Sequence, residues 1–225
     1  MTNSRESGQA APIYITMVAA LLFLALAFFA VGQAGATRND AQSAADAAAL
    51  AAAQESRDQF RLDLLGNLLQ PGYLDDIFNG NPLGTFNGCA VGQRFAEEND
   101  AELDHGVPGQ AACDWTSDGR WGFTVHVITQ DTMGESVLGS GADKKAKAHA
   151  TAIVEPRCSF EPAEEDEGSD EGSEDPPGEG DEGDEGEEEP ASPGELVCDG
   201  KGLTIDSETV LPDMSVLFSV RLAED

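Results

Sequence analysis

Residues 13–54 read IYITMVAALLFLALAFFAVGQAGATRNDAQSAADAAALAAAQ, and the fold follows from how this stretch is read. Ile13 to Val31 is almost pure hydrocarbon, and no charge occurs between Ser7 and Thr37. At ~1.5 Å per residue such a helix covers about 28 Å, close to the hydrocarbon thickness of a bilayer. A helix apolar on every face suits lipid better than the core of a soluble protein. Ala34-Gly35-Ala36 has the form of a signal-peptidase site, and Arg5 gives a weak positive start. The apolar run is longer than the usual ~7–15 residues of a signal core, which favours a permanent transmembrane anchor.

Beyond the apolar run the helix has no reason to stop. Nine of the thirteen residues from Ala41 to Ala53 are alanine, the strongest helix former. No Gly or Pro occurs between Ala36 and Leu65, and Pro71-Gly72 supplies the stop. One rod from about Ile13 to Leu69 is expected. Ala41, Ala45, Ala48 and Ala52 share one face of it, and small side chains let another helix approach closely. That face is read as a contact surface for partner helices.

Working outward, four cysteines follow the apolar run and none precedes it: Cys89, Cys113, Cys158 and Cys198. No pair has the two-residue spacing of a zinc knuckle or redox dithiol. An even number on one side of a membrane span reads as two disulfides in an oxidising compartment. Three pairings are open; Cys89–Cys113 with Cys158–Cys198 is favoured, because the second bond would close the ends of an acidic excursion. Four free thiols are the alternative. Arg5 and Arg38 flank the span one on each side, so the cysteines and the acidic mass, rather than positive charge, put the C-terminus outside.

The excursion runs from Glu161 to Glu189, with 17 acidic residues and no basic one, in a chain whose net charge is -31. With almost nothing apolar to bury it is expected to be disordered. It lacks the D-x-D-x-D-G spacing of a calcium loop, so a solvated spacer is the reading adopted. So negative a chain is a poor partner for nucleic acid or anionic lipid heads.

Between these landmarks, Pro71 to Pro108 reads as mostly loops, with a short helix over Arg94 to Leu103. In RWGFTVHVIT (120–129), Trp121, Phe123, Val125 and Val127 alternate with small or polar residues, the mark of a half-buried strand. AKAHATAIVE (146–155) is a second strand, and Leu196–Ile205 and Met214–Leu222 are two more, expected in the same sheet. Trp115 and Trp121 are expected in the core. Lys144, Lys145 and Lys147 mark a solvated strand edge.

The fold class is therefore α+β: a long N-terminal transmembrane and alanine-rich helix, then a small antiparallel-sheet extracytoplasmic domain with a disordered acidic insertion. The divisions are a cytoplasmic tail (1–12), the transmembrane helix (13–35), its alanine-rich continuation (36–70), the domain (71–160), the acidic segment (161–195) and the C-terminal strands that complete the domain (196–225).

Catalytic signatures are missing from the sequence. It contains no G-x-S-x-G elbow and no P-loop, and no G-x-G-x-x-G opens a helix after a strand. His105, His126 and His149 have no recognisable ligand spacing, and Asp114 with Asp118-Gly119 reads as a turn rather than a carboxylate pair. No cofactor, metal or small-molecule substrate is expected, and the chain is read as not an enzyme.

Gly8-Gln9, Arg38-Asn39-Asp40-Ala41-Gln42 and Ala44-Ala45-Asp46-Ala47-Ala48-Ala49-Leu50-Ala51, set around an apolar helix, resemble the N-terminal region of TadE/TadG-like proteins. These belong to bacterial tight-adherence (Flp) pilus-assembly systems. The resemblance covers Gly8 to Gln54. It implies a pilin-like, non-catalytic membrane protein whose partners are the bilayer and other pilus-assembly or pilin-like helices, at the bacterial cell membrane with the domain outside. Pilin precursors carry Glu five residues after the cleavage glycine; here Ile13 stands at that distance from Gly8, so a permanently anchored accessory protein is the expected version. An anchored or secreted binding module unrelated to pili is the alternative, and an exported enzyme the third.

Overall fold

The structure, a computed structural model, describes residues 10–132, 144–163, 192–205 and 210–224. Its first element is a single 58-residue helix, α1 (Ala10–Asn67). It ends where expected: Gln70 N–H caps the Asn67 carbonyl, and Gly72 takes a left-handed φ of 78° after Pro71.

Two short helices follow, α2 (Tyr73–Phe78) and α3 (Cys89–Glu98). The strands are β1 (Ala101–Leu103), β2 (Cys113–Trp115), β3 (Gly122–Thr132), β4 (Lys145–Pro156), β5 (Cys158–Pro162), β6 (Gly194–Cys198), β7 (Lys201–Ile205) and, after the one-turn α4 (Met214–Leu217), β8 (Phe218–Leu222). All pair antiparallel. One sheet runs β1-β3-β4-β8, with β2 on the same edge of β3 as β1; β5-β6-β7 form a separate three-stranded sheet. The class is α+β, with a long apolar N-terminal helix.

The first sheet packs on the second half of α1. The buried positions Ala41, Ala44, Ala45, Ala48, Ala49, Ala52, Ser56, Phe60, Leu64 and Leu68 recur at three- and four-residue steps. From Ala44 onward the apolar ones share one continuous core with Phe123, Val125 and Val127 of β3 and Ala150, Ala152 and Val154 of β4. Trp121, just before β3, joins it. The alternation read from 120–129 thus marks the buried side of β3. On the helix, every buried residue from Ala41 to Ala53 is alanine. At the far end large rings fill the gap: Phe60 lies 4.9 Å from Trp121 and 5.9 Å from Phe218, and Phe78 stacks on Phe218 at 5.3 Å. The buried indole N–H of Trp121 donates to Ser56 Oγ at 3.0 Å.

Three expectations need correction. The stretch 71–108 is not mostly loop: α2 and α3 lie in it, and α3 begins five residues before the expected helix and gives way to β1. Leu196–Ile205 is not one strand of the main sheet. Asp199 and Gly200, with φ of 50° and 74°, fold it into a hairpin that pairs with β5 instead. Met214–Leu222 is a helical turn followed by a strand, because the Asp213 carboxylate accepts from Ser215 N–H and caps the turn; only β8 returns to the main sheet. The acidic stretch 164–191 and its expected disorder lie outside the described residues.

Candidate functional site

The helix α1 presents two surfaces in series. Over residues 12–33 its apolar side chains point outward with no cover from the rest of the chain; Leu21, Phe28 and Phe29 are each more than 60 % exposed. This part is long and apolar enough to cross a membrane. Over residues 41–68 one side of the same helix is sealed. The change comes within about two turns, at Arg38-Asn39-Asp40.

The four alanines assigned to partner packing, Ala41, Ala45, Ala48 and Ala52, are fully buried. What covers them is the chain's own β3, β4 and α3. The reading of a close-packing face therefore has its geometry, but the occupant is intramolecular, and a partner helix has no access to that face. Helical periodicity reports that a face is buried; it carries no information on which chain buries it.

The helix that approaches is α3, through Gly88 and Gly92. A Cβ at Gly92 would sit 2.9 Å from the Ala48 carbonyl oxygen and 3.2 Å from Ala52 Cβ; one at Gly88 would overlap the Ala52 backbone. Only hydrogen fits at either position. These glycines were missed because a Gly- and Asn-rich stretch reads as loop. The G-x-x-x-G spacing of Gly88 and Gly92 was the available signal.

Two disulfides fasten this arrangement: Cys89–Cys113 ties the start of α3 to β2, and Cys158–Cys198 joins β5 to β6. Cys158 and Cys198 are cross-strand partners, and the pairing runs on to Pro162 opposite Gly194, with Ala163 N–H donating to the Pro193 carbonyl at 3.1 Å, so residues 163 and 193 lie side by side. Arg61 holds the C-terminal region from the other side, donating to the Leu211 and Pro212 carbonyls at 2.9 and 2.7 Å.

The opposite face of the main sheet carries the polar groups. Lys147 Nζ lies 2.7 Å from the nearly buried Asp104 carboxylate, which also accepts from Gly106 N–H. The Lys147 hydrogen bond, above all, holds the Asp104 carboxyl below the usual range. Lys145 pairs with Glu102 at 3.1 Å. Among the described residues β8 pairs with Ala152–Pro156, and no strand pairs with the Lys145–Ala150 half of β4 on that side. His126 and His149 face each other across β3 and β4. Asp118 accepts from Arg120 and closes the turn at Gly119, φ 78°. Asp114 is exposed and bonds the adjacent Trp115 N–H. Trp115 is half-buried on Phe123, with centroids 4.4 Å apart.

Among the described residues no group of three or more His, Cys, Asp or Glu is placed to hold a metal ion. Comparison with curated proteins and with solved structures finds no match. Residues 8–55, which contain the apolar span and the whole alanine-rich run, match the Tad family model, described as Flp pilus-assembly TadE/G-like.

Proposed function

We propose that this chain is a membrane-anchored, non-catalytic component of a bacterial pilus-assembly or surface apparatus, with its folded domain outside the cytoplasm. The observation that carries the reading is the division of α1. One helix is apolar and uncovered over residues 12–33 and forms the domain's own core over 41–68. A protein built this way needs lipid or other apolar helices around its first half. The two disulfides fit an oxidising compartment, which supports the outward orientation. The pilus assignment rests on the family match over residues 8–55.

The mode of association differs from an alanine zipper. The domain occupies the alanine face, so partner helices meet the apolar span within the bilayer. The other divisions are 1–12 in the cytoplasm, 13–35 in the membrane, 36–70 as stalk and core, and an outer domain whose limits move from 71–160 and 196–225 to 71–163 and 192–225, because β5 and β6 take in both ends of the expected 161–195 acidic spacer.

The test is the mature N-terminus, by intact mass of membrane and medium fractions, together with deletion of the gene. A chain kept in the membrane from at or near Met1, with surface fibres lost on deletion, is the expected result. A chain that begins at Gln9 makes it a processed pilin rather than an accessory. A chain that begins at Thr37 in the medium removes the anchor and the pilus role together. An anchored protein whose deletion leaves fibres intact is the binding module of the alternative reading.

A further inference from the structure

The sheet face turned away from α1 holds an arrangement that the anchoring role does not use. β3 and β4 pair in register with His126 opposite His149. Both alternate with residues of the α1-facing core, Val125 and Val127 on β3 and Ala148 and Ala150 on β4, so both imidazoles rise from the outer face. Their ring centroids are 5.4 Å apart and the planes are inclined by 30°. Two imidazoles that share one tetrahedral metal, through N–metal bonds of about 2.0–2.1 Å, have centroids about 5 Å apart. The observed centroid separation is close to that value.

Polar pairs flank them on both sides. On one side the hydroxyls of Thr124 and Thr151 bond across the strands at 2.9 Å. On the other, Lys147 and Asp104 are paired at 2.7 Å, and the second Asp104 oxygen accepts from Gly106 N–H. Asp104 is thereby engaged on both oxygens, and the facing imidazoles supply two nitrogen donors. Nitrogen donors select against Ca2+ and Mg2+ and for the copper–zinc class, of which Cu2+ binds most tightly.

We propose that His126 and His149 form a bidentate site for a borderline divalent transition metal, foremost Cu2+, with the remaining coordination positions filled by water. The bound ion bridges the two central strands of the main sheet. The proposal stands independently of the pilus reading, since it uses only the sheet.

The experiment adds one equivalent of Cu2+ to the full chain in detergent and reads its ligands by pulsed electron paramagnetic resonance. The acidic segment offers only oxygen, so nitrogen modulation separates the sites. Two coordinated imidazoles are expected, both retained in His105→Ala. His126→Thr and His149→Thr, chosen to match the neighbouring native threonine pair, should each leave at most one imidazole. Each should also weaken affinity roughly tenfold or more in chelator competition, because the second imidazole binds intramolecularly. Cu2+ should also shield His126 and His149 of the unmodified chain from diethyl pyrocarbonate, a readout that needs no variant. Oxygen-only coordination, unaltered affinity in both threonine variants, or no shielding overturns the proposal.

Discussion

Replacing Gly88 by alanine tests whether the alanine face of α1 belongs to the chain's own domain. Gly88 has φ -83° and ψ 3°, which alanine adopts freely, so the substitution probes contact and not backbone strain. The new Cβ would lie 2.7 Å from the Ala52 carbonyl carbon and 2.9 Å from its Cα. Non-bonded carbons rest at about 3.5–4.0 Å, so α3 must retreat by roughly 1 Å. It cannot do so freely, because Cys89 is bonded to Cys113. The atoms it meets are helix backbone, which does not rotate aside. Overpacking of this kind costs about 1–3 kcal/mol, and the upper end applies here. Alanine returns about 0.4–1 kcal/mol by restricting the unfolded chain. The net loss is about 2 kcal/mol, or roughly 4–8 °C in Tm for a protein of this size. The assay is thermal unfolding of the full chain in detergent, followed by Trp fluorescence, since Trp121 is buried in the core. Gly66→Ala, with nothing within 4 Å of its Cβ, is the control and should leave Tm unchanged or raise it. A Gly88→Ala protein that melts at or above the unmodified one would refute the assignment.

Other consequences follow from the same core and its outer face. Ala45→Leu and Ala48→Leu should lower Tm in a purified, partner-free preparation, because both sites are fully buried within the chain; an unchanged Tm would return that face to partners. Ser56→Ala removes the acceptor of the buried Trp121 N–H and should cost about 1–3 kcal/mol in denaturant unfolding, more than a surface Ser→Ala. Reducing Cys158–Cys198, which closes a separation of 40 residues, should cost about 4 kcal/mol by loop entropy; a loss near zero would mean the β5–β6 pairing alone holds those ends together. For pH, His126 has a folded pKa below its unfolded value, so the unfolded state binds more protons between the two. Its contribution is present above about pH 6.5 and is lost as pH falls through the folded pKa. Asp104, also lowered, adds a second loss at more acidic pH. Stability should therefore begin to fall below about pH 6.5, and His126→Thr should remove that first step while leaving the second.

The parts of this fold that were legible are those where every local signal agrees. In α1 the apolar run, the alanines and the Pro71-Gly72 stop all point to one helix. In β3 the alternation of Phe123, Val125 and Val127 leaves one choice of buried face. What failed had competing signals. Around α3, Gly88 and Gly92 read as loop residues because glycine weakens an isolated helix; they are tolerated because α1 lies close enough to need them. The Asp199-Gly200 pair is a strong hairpin turn signal, but the apolar residues on both sides obscured it. The owner of the alanine face was not legible at all. Ala45 and Ala48 demand cover at close range, and a sheet of the same chain meets that demand as well as a second helix would. The histidine pair depends on the β3–β4 register, which no spacing of His126 and His149 in the sequence discloses.

The unbroken run of α1 from the apolar span into the domain core gives the molecule a fixed azimuth. Each residue of an α-helix turns the chain by about 100° and advances it ~1.5 Å. One residue inserted near Thr37, between the uncovered and the sealed parts, would swing the whole domain by about 100° around the helix axis and shift it ~1.5 Å along it. Seven residues would shift it by about 10 Å and return it to within about 20° of its original heading. In a chain anchored as proposed, height above the bilayer and the direction the domain faces would be set together by the length of one segment, and neighbours that engage the domain would meet it at a phase determined within the membrane.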